Sequence, residues 1–305
     1  MDNSFKDNSF EDAIQRGRFH KLIGVTPLAR LHSLCARQDV EVYAKLEGNN
    51  LGGSVKDRAA LSMITEAERS GRLAGGKPLI EATSGNTGIA LAMIASMKGL
   101  PITLVMPQSA TPERVKVMRA YGADVELVAG GMEDAIDLVK SREAAGSHVS
   151  LNQFGNPANP LAHYQSTGPE VYETTEGRVT HFVSAMGTTG TIMGTSRYLK
   201  ERDPSIQIIG VQPQGESKIP GIRRWPEAYR PAIFEPERVD RILDVSAEEA
   251  AHHAQLLTQR EGIFSGLSSG GACWAALEVA REAPSGSVIV FIVCDRGDKY
   301  LSMLP

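Results

Sequence analysis

The amino-acid sequence predicts an α/β protein with two domains, each built on a mainly parallel sheet flanked by helices. Short strand-like patterns alternate with longer helix-like patterns along most of the chain, and this alternation is typical of parallel sheets that helices cover on both faces. The chain has 305 residues, which is about twice the length of a common domain. Hydrophobic residues make up 42% and charged residues 22% of it, as in an ordinary globular protein.

The strands are predicted from runs of apolar and β-branched residues bounded by turn signals. In the first run, apolar side chains occupy every second position from Val40 to Leu46. The last run is continuously apolar, which indicates a strand buried on both faces. In chain order the predicted strands are Val40–Leu46, Pro78–Ala82, Ile102–Met106, Asp124–Val128, His181–Ser184, Gln207–Val211 and Ser287–Val293.

Helices are predicted in the longer segments between these strands. Two of them carry start signals: Thr111 before Pro112 predicts a hydroxyl cap, and Ser246 with Glu249 has the capping-box spacing. In chain order the predicted helices are Asp57–Ser70, Asn86–Lys98, Pro112–Tyr121, Met132–Ala145, Ala162–Thr174, Thr191–Arg202, Ala247–Arg260 and Ser269–Arg281.

Turn-forming dipeptides indicate where the domains meet. Asn-Pro pairs interrupt the pattern between Gln153 and Pro160, and an earlier crossing falls near Asn49–Gly53. We therefore expect a large domain made of residues 1–51 and 158–305 and a small mobile domain made of residues 52–157.

Charge, cysteines and hydropathy exclude several classes of function. The net charge of −4 gives no electrostatic reason to expect a nucleic acid or an anionic membrane as partner. The cysteines Cys35, Cys273 and Cys294 show no Cys-x-x-Cys spacing, which fits a reducing compartment. No signal peptide or membrane-length apolar run is evident, so a cytoplasmic location is expected. The histidines have no ligand spacing, so no metal is expected.

Glycine is over-represented, with 30 of 305 residues, and excess glycine in an α/β chain often marks loops that approach a ligand. The first such loop is Gly52–Arg58, which contains Lys56 just before a helix. The helix dipole disfavours a cation at that place and so favours the neutral amine that a Schiff base requires. The competing interpretation is an ordinary solvated lysine.

The second loop, Thr83–Gly88, also follows a strand and opens a helix. Hydroxyl groups and free helix N–H groups converge there, as a bound carboxylate requires. The competing interpretation is an ordinary helix cap.

The third loop has no charged residue and lacks the Gly-x-Gly-x-x-Gly spacing of dinucleotide sites. A compact, threonine-rich turn at the start of a helix suits a phosphate held by backbone N–H and hydroxyl groups. Its residues are Gly187, Thr188, Thr189, Gly190 and Thr191. A reactive lysine, a carboxylate cradle and a phosphate cradle in one chain fit a pyridoxal-phosphate enzyme that acts on an amino acid.

Four ordered motifs resemble those of the fold-type II pyridoxal-phosphate enzymes, and in particular the cysteine synthases, or O-acetylserine sulfhydrylases. They are Gly53–Arg58, Thr83–Gly88, Gly187–Thr191 and Gly266–Gly271. The resemblance extends from Ile23 to Asp298. It implies a tryptophan synthase β-like fold, pyridoxal 5'-phosphate as cofactor between the two domains, small-molecule substrates and a homodimer.

The resemblance also implies roles for individual residues. Lys56 resembles the lysine that carries the coenzyme and later removes the substrate α-proton. Asn86 resembles the residue that bonds the 3′-oxygen of the coenzyme, and Ser268 resembles the partner of its pyridine nitrogen, with a helix cap as the simpler interpretation of Ser268. Gly187–Thr191 resemble the phosphate cup. The substrate carboxylate would be bound by Thr83, Ser84, Thr87 and Gln153.

Within the family, Pro220–Pro226 resembles the B-type enzymes. Arg223 and Arg224 offer several donors at fixed charge, which suits an anionic second substrate such as thiosulfate, or a phosphorylated serine. Arg223 is the predicted substrate-binding residue of the pair. The competing interpretation is a solvated pair of arginines.

The predicted reaction is a β-replacement that converts O-acetylserine and sulfide, or thiosulfate, to cysteine, or S-sulfocysteine, plus acetate. Two alternatives stay open. One is a pyridoxal-phosphate dehydratase or cystathionine-forming enzyme acting on serine or threonine. The other is an anion-binding module that has lost its cofactor.

Overall fold

The computed structural model describes residues 19–83 and 85–303. The contacts within the chain divide it into two compact units. The first unit holds the described residues up to Val25, together with Asn50–Gly52 and Lys56–Asn152. The second unit holds Thr26–Asn49, Gly53–Val55 and the described residues from Gln153 onward.

The elements alternate as the sequence pattern predicts. The strands are β1 (Leu28–Arg30), β2 (Glu41–Leu46), β3 (Leu79–Ala82), β4 (Ile102–Pro107), β5 (Asp124–Val128), β6 (Val149–Ser150), β7 (His181–Ala185), β8 (Gln207–Pro213), β9 (Arg241–Val245) and β10 (Val288–Val293). The helices are α1 (Lys56–Arg69), α2 (Asn86–Lys98), α3 (Pro112–Ala120), α4 (Met132–Ala144), α5 (Ala158–Ala162), α6 (Gly168–Thr174), α7 (Gly190–Arg202), α8 (Ala247–Glu261) and α9 (Leu267–Glu282).

The first unit contains a parallel sheet in the order β5-β4-β3-β6. Its inner strands β3 and β4 are buried at every position, as is expected of strands that helices cover on both faces. Helix α2 is apolar around most of its circumference and lies largely buried against α1.

The second unit contains a sheet in the order β1-β2-β10-β7-β8-β9, parallel except for the edge pair β1 and β2. The all-apolar strand β10 lies near the centre and is buried at every position. Its last residue, Val293, is paired with Leu46 at the end of β2, so the carboxyl ends of these strands form one edge of the sheet. Loops that leave this edge are the expected place for ligand-binding residues. The predicted fold class is confirmed.

The structure corrects three local predictions. Thr111 stands at the N-cap of α3, but its hydroxyl makes no capping bond, because the N–H of Arg114 bonds to the Thr111 carbonyl instead. The predicted helix Ala162–Thr174 begins earlier, at Ala158, and contains a π-helical turn at His163–Thr167. The short strands β1, β6 and β9 were not predicted. By contrast, the Ser246 hydroxyl accepts from the N–H of Glu249 at 3.0 Å, which confirms the cap of α8.

Candidate active site

Lys56 is the first residue of α1 and is half-buried. The two residues before it are held by the residues that follow β10: the Val55 N–H donates to the Cys294 carbonyl at 2.8 Å, and Ser54 forms an antiparallel bridge with Asp295. The predicted lysine therefore begins a helix from a backbone that is hydrogen-bonded on its amino-terminal side.

The Thr83–Gly88 loop follows β3 and opens α2, as predicted. The Thr83 side chain is buried and its Oγ1 accepts from the N–H of Gly88 at 3.0 Å and of Gly85 at 3.3 Å. A hydroxyl that accepts two N–H groups can still donate its own proton, which is what a carboxylate oxygen needs. Asn86 is half-buried at the start of α2 and Thr87 is buried next to it. Ser84, the remaining predicted residue of this loop, lies outside the described residues.

A buried arginine lies beside the same loop and was not predicted. A Cβ placed on Gly85 would lie 3.2 Å from the guanidinium carbon of Arg114, whose side chain is 7% exposed. The sequence held one signal for it: Arg114 stands in the first turn of α3, where the helix dipole disfavours a cation. Its positive charge complements the carboxylate that the loop is expected to bind.

The Gly187–Thr191 loop joins β7 to α7 and has the features of an anion site. Thr189 adopts a left-handed backbone conformation with φ 71°, and its buried Oγ1 finds no hydrogen-bond partner among the residues that the structure describes. A buried hydroxyl without a partner is costly, so a ligand oxygen at this place would satisfy it. Gly187 has no room for a side chain, because a Cβ there would lie 2.8 Å from the Gly221 carbonyl oxygen.

Buried polar side chains support this loop from behind. The Asn159 amide donates to the Thr188 hydroxyl at 3.1 Å and to the Gln153 carbonyl at 2.7 Å. His163 is 1% exposed, and its ring nitrogens contact the hydroxyls of Thr191 at 3.3 Å and Thr167 at 2.9 Å. Asn159 and His163 were not predicted, since an isolated Asn or His carries no sequence signal for such a role.

Ser268 lies in the first turn of α9 and is buried. Gly266 occupies the N-cap, so the interpretation of Ser268 as a helix cap is wrong. A Cβ on Gly221 would lie 3.1 Å from the Ser268 hydroxyl oxygen, and Gly221 is also the residue whose carbonyl approaches Gly187. The Gly187–Thr191 loop and Ser268 therefore both lie next to Gly221.

The two predicted arginines have different surroundings. The Arg223 guanidinium lies 5.4 Å from the centre of the Trp225 ring, and the Trp225 N–H donates to the Gly187 carbonyl at 2.8 Å. Arg224 instead forms an exposed ion pair with Asp244 at 2.6 Å. Arg223 therefore neighbours a ring that is hydrogen-bonded to Gly187, whereas the Arg224 side chain also donates to the Pro213 carbonyl at 3.1 and 3.2 Å.

Other features of the described residues bear on metal, membrane and thiol chemistry. The described residues contain no group of three or more His, Cys, Asp and Glu that could hold a metal ion. None of the helices found between residues 19 and 303 is long and apolar enough to cross a membrane. Burial raises the pKa of the Cys273 thiol well above its usual value, which makes this cysteine unreactive.

Each unit contains a mainly parallel sheet, and both Lys56 and the Gly187–Thr191 loop stand at the start of a helix. A reactive amine together with a phosphate-binding loop is typical of a coenzyme-dependent enzyme. The model of the family "pyridoxal-phosphate dependent enzyme" matches residues 20–295, and the chain belongs to this family. The predicted cofactor, pyridoxal phosphate, is thereby confirmed. The described residues also fit that group, because the Gly187–Thr191 loop offers to a phosphate its helix N–H groups and the Thr189 hydroxyl, which no other described residue satisfies.

Particular relatives narrow the class. The chain is 55% identical to cysteine synthase B of Salmonella typhimurium over 92% of this chain and 93% of that protein. The crystal structure of cysteine synthase from Entamoeba histolytica matches with a TM-score of 0.86 at 38% identity, covering 92% of this chain and 88% of that one. An O-acetylserine dependent cystathionine β-synthase from Helicobacter pylori matches with a TM-score of 0.87 at 36% identity, covering 93% and 96%. Within the pyridoxal-phosphate enzymes the chain groups with the cysteine synthases of the B type, as the sequence motifs predict.

Proposed function

We propose that this enzyme replaces the acetate of O-acetylserine by sulfide or thiosulfate, giving cysteine or S-sulfocysteine plus acetate, with Lys56 as the base at the α-carbon. Pyridoxal phosphate, when bound, supplies the electron sink that makes the α-proton removable. The Lys56 amine takes this proton, acetate leaves from the β-carbon, the sulfur nucleophile adds there, and a proton returns to the α-carbon.

The other site residues are proposed to bind and orient the substrate and the coenzyme. The substrate carboxylate is bound by donors from Thr83, Ser84, Thr87 and Gln153. Asn86 bonds the 3′-oxygen of the coenzyme, and Gly187–Thr191 bind its phosphate. What supports these roles is that Thr83 retains an O–H to donate and that the buried Thr189 hydroxyl has no partner among the described residues.

Ser268 is proposed to face the pyridine nitrogen. A neutral hydroxyl, unlike a carboxylate, does not favour a protonated ring. The electron sink is then weaker, which suits loss of a β-substituent over reactions that need a long-lived carbanion. Ser268 is 2% exposed, so its hydroxyl would bond in a site from which water is excluded.

A product assay tests this function. The enzyme is supplied with O-acetylserine and either sulfide, thiosulfate or no sulfur source, and cysteine, S-sulfocysteine and pyruvate are measured. Cysteine or S-sulfocysteine as the main product supports the proposal. Pyruvate formed at the same rate with and without a sulfur source would identify an elimination enzyme instead.

A second nucleophile is tested because one similar solved structure, from Helicobacter pylori, is named an O-acetylserine dependent cystathionine β-synthase. Homocysteine is therefore supplied as a competing nucleophile in the same assay. Cystathionine in excess of cysteine at equal acceptor concentrations would favour this second candidate.

The organisation of the protein is also proposed. We infer that Lys56–Asn152, which form the greater part of the predicted small domain 52–157 and belong to the first unit, move when the amino acid binds, since substrate-driven closure is common in enzymes that must exclude water. The protein is proposed to act in the cytoplasm and to form a homodimer. Light scattering on the purified protein checks the dimer. A monomer at all concentrations would contradict the dimer.

A further inference from the structure

The segment that follows β10 stays attached to the sheet edge instead of leaving it. Cys294 directs its N–H to the Ser269 hydroxyl at 2.9 Å and its carbonyl oxygen accepts from the Val55 N–H at 2.8 Å. One residue therefore links the segment before Lys56 to the first turn of α9, in which Ser268 also lies.

Asp295 continues this attachment. It forms an antiparallel bridge with Ser54, and both residues have no exposed surface. The hydroxyl of Tyr300 donates to Asp295 Oδ2 at 2.6 Å, and Tyr300 is itself 2% exposed. A buried carboxylate is costly unless it is hydrogen-bonded, and a hydroxyl bonded to a carboxylate is among the stronger neutral-to-charged bonds.

The same pair packs against Gly266, the N-cap of α9. A Cβ on Gly266 would collide with Asp295 Oδ1 and would lie 2.5 Å from the Tyr300 ring. Ser265, just before this glycine, forms an antiparallel bridge with Arg296. Asp295 therefore contacts two segments at once: it is bridged to Ser54, two residues before Lys56, and with Tyr300 it packs against Gly266 at the start of α9, which carries Ser268.

We propose that Asp295 and Tyr300 are positioning residues for the reaction: by holding Ser54 and Gly266 they fix the backbone from which Lys56 and Ser268 reach the coenzyme. The inference rests on the roles proposed above for these two residues. Neither Asp295 nor Tyr300 touches the reacting atoms in this proposal. They affect the rate because a small displacement of a catalytic group slows the reaction strongly.

Tyr300→Phe tests the proposal, because it removes the hydroxyl that holds Asp295 and keeps the buried ring. We expect kcat with O-acetylserine and sulfide to fall about tenfold or more, with KM for O-acetylserine little changed. The absorption spectrum of the bound coenzyme is expected to shift, and the dissociation constant for pyridoxal phosphate to rise. Asp295→Asn is expected to act in the same way, and the double variant to be no worse than Asp295→Asn alone.

Tyr43→Phe is the matched control. Tyr43 also donates its hydroxyl to a carboxylate, Glu41 Oε2 at 2.5 Å, in the same sheet. Its strand position pairs with Val290, and Glu41 pairs with Val288 at the beginning of β10, away from the edge where Cys294 lies. This variant should therefore keep kcat, spectrum and coenzyme affinity; because Tyr43 is half-buried and Tyr300 is fully buried, its loss of stability should be no greater than that of Tyr300→Phe.

The result that overturns the proposal is a Tyr300→Phe enzyme whose kcat and coenzyme spectrum match those of Tyr43→Phe, whatever its thermal midpoint. Lys56→Ala, measured alongside, separates this failure from that of the proposed function. If Lys56→Ala is inactive while Tyr300→Phe behaves as the control, only the positioning role is wrong. If Lys56→Ala keeps full turnover, the role of Lys56 is wrong and the positioning role fails with it.

Discussion

The indole N–H of Trp225 donates a hydrogen bond of 2.8 Å to the carbonyl oxygen of Gly187. This bond ties the Pro220–Pro226 segment to the loop proposed to bind the coenzyme phosphate. The Trp225 ring is further fixed by an edge contact with Phe154 at 5.2 Å between ring centres, and it carries the guanidinium of Arg223 near its face. A segment far along the chain thus places one fixed positive charge near the indole ring that is bonded to Gly187.

Arg223→Ala is expected to impair the use of an anionic sulfur donor. Removal of this charge should raise KM for thiosulfate about tenfold and leave the rate with sulfide nearly unchanged. Steady-state kinetics with both donors provide the measurement. Arg224→Ala is the control, because it removes the same charge from the neighbouring exposed residue, whose side chain bonds to Asp244 and to the Pro213 carbonyl. Equal loss with thiosulfate in both variants would contradict a specific role for Arg223.

Thr189→Val is expected to separate coenzyme binding from the stability of the protein without it. The Thr189 hydroxyl makes no hydrogen bond within the part of the chain that the structure describes, so its removal should leave the free energy of unfolding unchanged or raise it by up to about 1 kcal/mol. Loss of a bond to phosphate should raise the dissociation constant for pyridoxal phosphate about tenfold or more. Denaturant titration and equilibrium dialysis measure the two quantities.

Thr195→Val provides the comparison for that experiment. Its hydroxyl is also buried with no partner among the described residues, and it lies within α7, the helix at whose N-cap Thr189 stands, beyond the Gly187–Thr191 loop. Coenzyme affinity should be unchanged in this variant. A similar loss of affinity in both variants would show that Thr189 acts through the helix and not through its hydroxyl.

Lys56→Ala is expected to abolish turnover and the absorption of the covalently bound coenzyme. No other group is proposed to supply the amine, so the loss of activity should exceed about a thousandfold. Absorption spectroscopy and the cysteine assay check this. Lys140→Ala removes an exposed lysine paired with Asp137 and should behave as the parent protein. Normal turnover by Lys56→Ala would refute the assignment.

Glu261 is expected to stabilise the second unit in a pH-dependent way. Burial raises the pKa of its carboxyl, but hydrogen bonds from the N–H groups of His32, Ser33 and Leu34 outweigh burial, and the pKa lies below its usual value. A carboxyl with a lowered pKa contributes stability that is present at neutral pH and is lost as the pH falls through the folded-state pKa.

Glu261→Gln should therefore lower the thermal midpoint at pH 7 by about 2 °C, and the difference from the parent should narrow as the solution is acidified. Thermal unfolding across a pH series measures it. Glu227→Gln changes a side chain that is 89% exposed and should have no such effect. A difference that is constant from neutral to acid pH would refute the carboxylate interpretation.

Local patterns were sufficient for most of the fold and for locating the segments that are proposed to carry the chemistry. Strands such as Asp124–Val128 and helices such as Asn86–Lys98 have the predicted limits, because apolar periodicity within one element determines which face is buried. Lys56 and the loops at Thr83 and Gly187 were predicted for a similar reason. Each is a short run of glycine, hydroxyl or lysine residues next to a helix start, and its chemistry can be inferred without knowing its neighbours.

The residues that complete the site come from contacts between distant segments. Three hydrogen bonds depend on how distant segments pack: Asn159 to Thr188, Trp225 to Gly187, and Tyr300 to Asp295. The π-helical turn at His163 and the orientation of Arg223 away from Arg224 belong to the same group. The composition and spacing of the sequence around these side chains do not distinguish them from ordinary residues. The sequence alone therefore determined the fold class, the cofactor and the reaction class, whereas tertiary structure decided which side chains support the loops. The physical reason is that secondary structure and loop chemistry depend on near neighbours, while hydrogen bonds between segments exist only after the chain has folded.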